Sequence, residues 1–372
     1  MRIVLSLLLI LILAIGGYVI YMQACYYRIP DNETIEVVPG TSAEYKQPLQ
    51  LDTNYRAASY NIGFGAYTSD YTFFMDTGVM ANGTKTKGVQ SRAASEESVN
   101  TCITGDINLM QQASPDFMLF QEVDINSTRS YHINQAEMIE KAFPWHEALF
   151  ASNFHTPYLM YPFSISPLVL PHGSVDGGLL TLSDYQSNAS VRRSYPVSDA
   201  IPEKFVDLDR CFALTRIPVE GNHELVLINN HMSAYDKGGE FRARQIQMLF
   251  DVLKEERAKG NYVIVGGDFN HALCGSETMY KSAQLQPEWV SVLKDSEIPE
   301  GFRVVAPDNL QNVASCRGVD IPYEKDYTYT VTVDGFIASD NVEASAEIID
   351  NGFKYSDHNP VLLNFALKKE NS

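Results

Sequence analysis

The pattern of hydrophobic and polar positions divides the chain into three parts. Residues 1–24 contain an apolar run, from Ile3 to Met22, that carries no charged residue. A run of about 20 apolar residues is long enough to cross the hydrocarbon core of a bilayer as a helix. Residues 25–54 are polar and contain prolines, which predicts a tether. Short apolar runs then alternate with amphipathic stretches through residues 55–369, the predicted folded domain.

The length of the N-terminal apolar run favours a membrane anchor that stays in the mature protein. Cleaved secretory signals usually have a shorter apolar region followed by small residues, whereas Tyr26 and Tyr27 follow the run here. A cleaved signal and a lipid-modified Cys25 are the open alternatives. Arg2 is the only charged side chain before the run, which favours a cytoplasmic N-terminus. We therefore expect a single-pass membrane protein whose domain is extracytoplasmic.

Apolar runs and helical periodicity predict an α/β fold for the domain. Strands are predicted at Ala57–Ile62, Phe117–Phe120, Leu179–Leu182, Phe212–Ile217, Leu225–Asn229, Tyr262–Val265, Tyr327–Ala338 and Val361–Phe365. Helices are predicted at Glu96–Gln112 and Glu240–Lys259. Strands interleaved with helices are typical of a layered α/β sandwich. The Gly-, Thr- and Ser-rich segment Gly63–Arg92 predicts a long loop.

Charge and cysteine content narrow the class of protein. The chain has 28 Lys and Arg against 46 Asp and Glu, a formal net charge of −18. Such a charge repels polyanions and argues against tight non-specific binding of nucleic acid. A bound divalent cation would reverse the field locally, so hydrolysis of a phosphate ester remains compatible. The five cysteines lack CxxC spacing, which argues against a zinc ribbon and leaves disulfides open.

Polar residues that suit phosphate chemistry follow, lie within or directly precede the apolar runs, and sites of α/β folds assemble at strand ends. They are Asn61, Glu122, Asn229, His231, Asp268, Asn270, Asp334, Asp357 and His358. Any one of them alone is most simply a turn former or a hydrogen-bonded core residue. Together they supply carboxylates for a hard cation, an amide for phosphate and a carboxylate-supported histidine, as hydrolysis of a phosphate ester requires.

These residues lie in six short blocks that recur in a known order. The blocks are Ser-Tyr-Asn61, Gln-Glu122-Val, Asn229-Asn-His231-Met, Gly-Asp268-Phe-Asn270, Val-Asp334-Gly-Phe-Ile and Ser-Asp357-His358-Asn-Pro-Val. Their order resembles the endonuclease/exonuclease/phosphatase superfamily, the fold of deoxyribonuclease I, bacterial sphingomyelinases and inositol polyphosphate 5-phosphatases. The resemblance covers nearly the whole predicted domain. It implies a four-layer α-β-β-α sandwich of two mixed sheets, here with one N-terminal transmembrane helix.

The resemblance also implies a metal site and a catalytic group. Glu122 is expected to be the principal metal ligand, with Asn61 beside it and Asp357 contributing. The implied cofactor is Mg²⁺, with Mn²⁺ or Ca²⁺ as alternatives. The implied catalytic residues are His231, Asp268, Asn270, Asp334 and His358. Among them, Asp268 is expected to orient or activate water, while Asp334 supports His358.

Substrate binding is predicted for Asn229 and Arg244. Arg242, Arg244 and Gln245 all follow the histidine block within a predicted helix, and a solvated helix face is the alternative for all three. Arg129, which follows the Glu122 block, has the same alternative.

Three features depart from the family pattern. The spacing from Asn61 to Glu122 is long, Asn230 lies within the histidine block, and Gly335 follows Asp334. These departures leave the chemistry intact and the substrate open.

We expect a metal-dependent hydrolase of phosphate esters that acts on phosphodiester bonds. A lipid headgroup, a nucleic acid (as substrate only) and a small soluble ester are the candidate substrates, and no protein partner is predicted. The aromatic runs Tyr158–Tyr161 and Phe73–Met75 could meet a bilayer or lie in the core. The alternatives are a catalytically silent, membrane-tethered binding module on the same fold and a receptor ectodomain. Neither is favoured, because none of the key residues is lost.

Overall fold

The computed structural model describes residues 1–41, 48–163, 169–200, 203–205, 209–234, 236 and 238–369. The α-helices are α1 (Arg2–Cys25), α2 (Glu96–Ala113), α3 (Gln135–Ala142) and α4 (Glu240–Ala258). The strands of the first half are β1 (Glu33–Thr34), β2 (Val37–Val38), β3 (Asn54–Asn61), β4 (Thr77–Val79), β5 (Lys85–Lys87), β6 (Phe117–Asp124), β7 (Glu147–Leu159), β8 (Gly173–Ser183) and β9 (Ala189–Ser194). Those of the second half are β10 (Cys211–Val219), β11 (His223–His231), β12 (Tyr262–Asp268), β13 (His271–Ala272), β14 (Ser291–Val292), β15 (Phe302–Val304), β16 (Cys316–Arg317), β17 (Thr330–Val331), β18 (Asp334–Ser339), β19 (Val342–Ile348) and β20 (Val361–Leu367).

Two mixed sheets dominate the described part of the domain. The first has the strand order β1-β9-β10-β11-β12-β18-β15, and the second has the order β19-β20-β3-β6-β8-β7-β2. Each contains one parallel pair, β11 with β12 and β3 with β6. A parallel pair needs a crossover connection, and α4 and α2 supply these two connections. Each sheet therefore has its own βαβ unit near its centre.

The sheets pack face to face, and helices cover their outer faces. Between the sheets, Leu119 of β6 and Leu227 of β11 belong to one buried apolar cluster. Outside the second sheet, Val99 of α2 and Ile139 of α3 are buried. Outside the first sheet, α4 buries Leu249 against β11 and β12. This arrangement confirms the predicted four-layer α-β-β-α sandwich.

The N-terminal region differs in part from its sequence prediction. Helix α1 is long and apolar enough to cross a membrane, with a mean hydropathy of 2.9 over 18 residues. The polar segment behind it is not a free tether, because β1 pairs with β9 and β2 pairs with β7. Strands of two residues leave no periodic pattern, so the sequence did not reveal them. Residues 42–47 of the predicted tether lie outside the described residues.

Several other elements were not predicted or are divided differently. Strands β7, β9 and β19 and helix α3 were missed, and the predicted loop Gly63–Arg92 contains the hairpin of β4 and β5. The predicted strand Tyr327–Ala338 is divided into β17 and β18. At the break, the carbonyls of Thr332 and Val333 accept hydrogen bonds from loop amides instead of continuing one strand. The five cysteines are free thiols.

Asp106 of α2 is a buried carboxyl group in the layer outside the second sheet. The hydroxyl of Tyr60 donates a hydrogen bond to its Oδ1 at 2.7 Å. Burial raises the pKa of Asp106 well above its usual range, and the hydrogen bond from Tyr60 offsets only part of that shift. The folded protein therefore keeps a proton here that the unfolded chain releases. Stability must fall as the pH rises from the unfolded pKa towards the folded one.

Replacing Asp106 by Asn should remove this pH dependence while leaving an acceptor for Tyr60. Relative to the parent protein, Asp106→Asn should gain up to about 1.4 kcal/mol in free energy of unfolding per pH unit between about pH 5 and 7. The measurement is unfolding at a series of pH values without divalent metal. Glu343→Gln, at an exposed carboxyl on β19, should leave the slope unchanged. Parallel pH profiles for Asp106→Asn and the parent protein would contradict the assignment.

Candidate active site

Strand register places three ionisable side chains in one row. The parallel pairing of β11 with β12 sets His231 beside Asp268. The antiparallel pairing of β12 with β18 sets Asp268 beside Asp334. Side chains of residues paired directly across two strands project to the same face of a sheet. The polar residues seen at the ends of apolar runs thus converge because their strands end at one edge.

Two glycines before Asp268 let the surrounding backbones approach closely. A Cβ on Gly267 would lie 2.0 Å from the carbonyl oxygen of Asn230 in the neighbouring strand. A Cβ on Gly266 would lie 2.4 Å from Phe336 and 2.7 Å from Leu119, which belongs to the opposite sheet. Any larger side chain would therefore push β12 away from its neighbours and displace Asp268.

Asn61 and Glu122 enter the cleft from the second sheet. The side-chain amide of Asn61, at the end of β3, donates hydrogen bonds to Glu122 at 3.3 Å and to Asp268 at 3.0 Å. Glu122 lies at a shift of register between β6 and β8 and has a φ of 54°. Left-handed backbone is strained for a residue with a side chain, and such strain is concentrated at functional sites. Asn61 therefore bonds across the two sheets and fixes the relative positions of two carboxylates.

His358 and Asp334 form a buried hydrogen-bonded pair. Nδ1 of His358 lies 2.7 Å from Oδ2 of Asp334, and the hydroxyl of Ser315 donates to the same oxygen at 2.7 Å. Burial alone would lower the pKa of His358, but the charge and hydrogen bond of Asp334, together with Cys316 and Asp357, hold that pKa well above its usual value. His358 is therefore charged at neutral pH, with Nε2 3.9 Å from Oδ2 of Asp268.

Asp268 lies between the two histidines of the site. The backbone N–H of Asn270 donates to its Oδ1 at 2.8 Å, and Nε2 of His231 lies 3.4 Å from its Oδ2. Burial, followed by repulsion from Asp334, raises the pKa of Asp268 to about 7. Burial also lowers the pKa of His231 well below its usual value. The site thus holds one neutral and one charged histidine around a carboxyl group that can exchange a proton near neutral pH.

Glu122, Asp357 and Asn61 form an oxygen-rich side of the cleft. Burial raises the pKa of Asp357 to about 6, and repulsion from Glu122 adds to this while the charge of His358 opposes it. A divalent cation would relieve that repulsion. Hard cations such as Mg²⁺ prefer carboxylate and amide oxygens, so this donor set fits the predicted metal.

A second group of possible ligands lies on the other side of the cleft. Ligand atoms of Asp268, Asp334 and His358 all lie within 4.8 Å of one another. A histidine must be neutral to bind a metal, whereas Asp334 holds His358 in its charged form. The Glu122 side is therefore the better match for the cation.

The site opens into a cavity of about 1000 Å³. The predicted site residues that line it are Glu122, His231, Asp268, Asn270, Asp357 and His358. Asn61 and Asp334 lie behind them and are hydrogen-bonded to them. Eight of the ten predicted site residues are thus brought together in one place.

A model of the endonuclease/exonuclease/phosphatase family matches residues 58–309, which is more than half of the chain. The chain belongs to the endonuclease/exonuclease/phosphatase family. Membership supports a hydrolase of the phosphodiesterase or nuclease type, and members of this family typically use divalent metals. A search of curated protein sequences finds no match.

Solved structures of endonuclease/exonuclease/phosphatase proteins share the fold. A truncated TDP2 from Caenorhabditis elegans is 13% identical, with a TM-score of 0.51 over 84% of this chain and 98% of that one. A family protein from Beutenbergia cavernae is 14% identical, with a TM-score of 0.52 over 85% of this chain and 72% of that one. One from Bacteroides vulgatus is 14% identical, with a TM-score of 0.51 over 85% of this chain and all of that one. At these identities the likeness shows the fold alone.

Asn229 is predicted to bind substrate, but the structure places it between the sheets of the family fold. Its side chain is fully buried, accepts a hydrogen bond from Gln121 at 2.8 Å and donates to the carbonyl of Phe120 and to Thr181. Alternate residues of a strand project to the same face. His231 therefore shares a face of β11 with Asn229, but it lies beyond the interface between the sheets. Both residues lie at the end of the same apolar run, so the sequence did not show that Asn229 is buried in the interface while His231 reaches the cleft.

Arg244 is also predicted to bind substrate, and the structure does not bring it to the site. It is exposed on α4, with its guanidinium 5.6 Å from the ring centre of Phe241. The alternative of a solvated face is right for Arg244 and wrong for its neighbours. Arg242 is buried and lines the cavity, and Gln245 is buried and bonded to Ser233.

Two residues near the site were missed or misjudged from the sequence. Arg129 is buried, bonds through two nitrogens to Asp124 at 2.8 and 3.0 Å, and lies 3.9 Å from the ring centre of Phe64. It lines the cavity instead of lying on a solvated face. Ser315, which supports Asp334, gave no signal because a lone serine in a loop has no pattern. The positions of Arg129 and Ser315 depend on contacts with other segments of the chain, which the local sequence does not show.

Exchanging Asn229 for Ala should damage the fold more than the chemistry. The change leaves a small cavity and removes one acceptor of the side-chain amide of Gln121, so we expect a loss of about 2–4 kcal/mol in free energy of unfolding. Arg244→Ala should change it by less than about 0.5 kcal/mol. Thermal unfolding of both variants gives the comparison. An Asn229→Ala protein with unchanged stability and weaker substrate binding would return Asn229 to the substrate site.

Proposed function

We propose that the chain is a Mg²⁺-dependent hydrolase of phosphodiester bonds. The observation that carries the proposal is that one cleft joins the carboxylates of Glu122 and Asp357 to the charged pair of His358 and Asp334. Anionic oxygens on one side and an imidazolium on the other are what a cation-assisted displacement at phosphorus uses. Family membership supports the same class of reaction.

The proposed metal ligands are Glu122, Asp357 and Asn61. Asn61 now donates its amide hydrogens to carboxylates, while its Oδ1 accepts from the backbone of Gly63 at 3.0 Å. It therefore holds Glu122 in place whether or not its own oxygen reaches the cation. A bound divalent cation would supply Lewis-acid polarisation of a phosphoryl oxygen.

The remaining residues divide the proton chemistry between them. Asp268 is the proposed acceptor of the proton of the attacking water, because its pKa of about 7 suits a general base near neutral pH. His358, charged through Asp334, donates a hydrogen bond to the phosphoryl or leaving oxygen. His231 and Asn270 line the same cavity and complete the group of donors around the phosphate. Asn270 has one amide hydrogen engaged by the carbonyl of Met232, which fixes its orientation.

Removing either half of the site should abolish turnover. Glu122→Gln and His358→Ala should each lower kcat for bis-nitrophenyl phosphate by roughly 10² or more. Asp334→Asn should lose less than His358→Ala, because it discharges and misorients the imidazole without removing it. Only Glu122→Gln should weaken Mg²⁺ binding. The assay is hydrolysis across a Mg²⁺ titration, with thermal unfolding measured in parallel.

The free energy of unfolding without metal provides a control for that experiment. Glu122→Gln removes one of two repelling carboxylates, so its metal-free stability should equal or exceed that of the parent. Glu347→Gln, at an exposed carboxyl on β19, should change neither turnover nor Mg²⁺ dependence. Wild-type turnover in both Glu122→Gln and His358→Ala at saturating Mg²⁺ would reject the site, and the catalytically silent binding module would then take its place.

We further propose that residues 1–24 anchor the protein in a membrane, with residues 55–369 as an extracytoplasmic catalytic domain. Support comes from the length and apolarity of α1 and from the positive charge of Arg2 at its N-terminal end. The mature protein should keep α1, and protease added outside intact cells should cut the domain. N-terminal sequencing that begins after Met22, or cutting only after the membrane is broken, would refute this topology.

A further inference from the structure

The catalytic cavity is continuous with the apolar N-terminal helix. Its lining includes Glu122 and His358 at one end and Tyr18, Val19 and Met22 of α1 at the other. Met22 is only 4% exposed, although most of α1 before it is open to its surroundings. One wall of the cavity is thus the end of the helix that is proposed to cross the membrane.

A row of aromatic rings connects the two ends. We call it the aromatic wall, and it consists of Tyr67, Phe73, Phe74, Tyr161 and Phe163. Successive ring centres are 6.1, 4.9, 5.2 and 6.3 Å apart. All five residues line the cavity. The wall is therefore a continuous apolar surface instead of a set of separate core residues.

The inner end of the aromatic wall lies beside the proposed metal ligands. A Cβ built on Gly63 would lie 2.5 Å from the ring of Tyr67 and 3.0 Å from a carboxylate oxygen of Asp357. Gly63 itself donates to Asn61. A phosphate bound at the catalytic end would thus have its ester substituent close to Tyr67.

The outer end of the aromatic wall is attached to α1 by hydrogen bonds. The hydroxyl of Tyr18 donates to the carbonyl of Tyr158 at 3.1 Å and accepts from the amide of Met160 at 3.1 Å. The hydroxyl of Tyr21 accepts from the amide of Tyr158 at 3.1 Å. Residues 158–160 lead directly into Tyr161 of the wall, so the wall and α1 keep a fixed relation.

The length of α1 before this contact sets the depth of the cavity mouth. From Arg2 to Tyr18 the helix rises about 25 Å, whereas the hydrocarbon core of a bilayer is about 30 Å thick. The point of attachment therefore lies at the membrane surface or slightly below it. Phe163 is 77% exposed and Met160 is 46% exposed at this level, where bare apolar side chains would be costly in water but are favourable against lipid.

None of the five residues of the aromatic wall is charged. The other Asp, Glu and Arg residues that line the cavity, besides the proposed catalytic and metal-binding ones, are Asp76, Arg129, Arg210, Asp236, Arg242, Glu288 and Arg317. Arg129 is engaged by Asp124, and Arg317 donates to the carbonyls of Gly318 and Thr68. A polynucleotide needs cations along a run of phosphates, but the route away from the catalytic residues is aromatic. A substrate with a single phosphate and an apolar substituent matches both the catalytic end of the cavity and the aromatic wall.

We propose that the substrate is an amphiphilic phosphate ester of the bilayer, whose phosphate binds among the catalytic residues while its hydrocarbon chain lies along the aromatic wall against α1. The inference rests on the proposed phosphodiesterase activity and names its substrate class. In the reaction, the oxygen of water joins phosphorus, one P–O ester bond breaks, and the leaving oxygen takes up a proton. The chain stays in the apolar part of the cavity throughout.

The test compares two diesters that differ only in their chain. The full chain in a nonionic detergent is assayed with nitrophenyl methyl phosphate and nitrophenyl dodecyl phosphate, and kcat/KM is measured for each. Because each buried methylene favours binding, the dodecyl ester should be preferred about tenfold or more. Phe163→Ser combined with Met75→Ser removes two exposed residues of the cavity lining and should reduce that preference at least about threefold. Trp145→Ser, at an exposed aromatic residue outside the cavity lining, should keep it.

A second measurement does not depend on turnover. A dodecyl phosphate with a photoreactive group at the chain end should label the segments 73–75 and 158–163 and the last turns of α1. Equal hydrolysis of the two diesters, labelling elsewhere, or faster cleavage of a single-stranded oligonucleotide would overturn the inference. Hydrolysis of neither diester, with Glu122→Gln indistinguishable from the parent, would instead reject the proposed function.

Discussion

The pairing of β12 with its two neighbours is the constraint on which the site depends. One register places His231 beside Asp268, and the other places Asp334 beside it. Gly267 lies directly against the carbonyl of Asn230, so this register tolerates no side chain at that position. A strand slip of one residue would send every side chain to the opposite face. The catalytic row therefore exists only when the centre of the first sheet is correctly paired.

The side-chain amide of Asn61 is one of the links between the second sheet and the site. Asn61 bonds to Glu122 within its own sheet and to Asp268 across the interface. Burial, and then repulsion from Asp334 and Glu122, raises the pKa values of Asp268 and Asp357 in the absence of a cation. The apolar layer between the sheets must offset the cost of burying these groups for the metal-free protein to fold. Binding of the proposed cation would for this reason be coupled to sheet packing, because both act on the same carboxylates.

The sequence predicted the layers and most of the site because both depend on local patterns. Apolar runs predicted β3, β6, β11, β12 and β20, and polar residues at or near the ends of these strands converge as expected. The predictions that failed concern residues whose burial depends on how the elements pack in three dimensions. Asn229 ends a run like the others but fills the sheet interface, and Arg129 becomes buried only because Phe64 and Asp124 meet it. Strand β7 was missed since Ser152, Asn153 and His155 interrupt its apolar pattern.

In the proposed membrane topology, the segment behind α1 would determine how the cavity faces the membrane. β1 pairs with an edge of the first sheet and β2 with an edge of the second, so the chain leaving α1 is attached to both sheets. Tyr27 stacks on His155 at 3.8 Å between ring centres, and Arg28 bonds to Asp209 at 3.1 Å. A free tether would let the domain turn in any direction, and the cavity mouth would face lipid only part of the time. Attachment at both sheet edges removes that rotational freedom before any substrate binds, and for the proposed substrate this would lower the entropy cost of taking a chain directly from the bilayer.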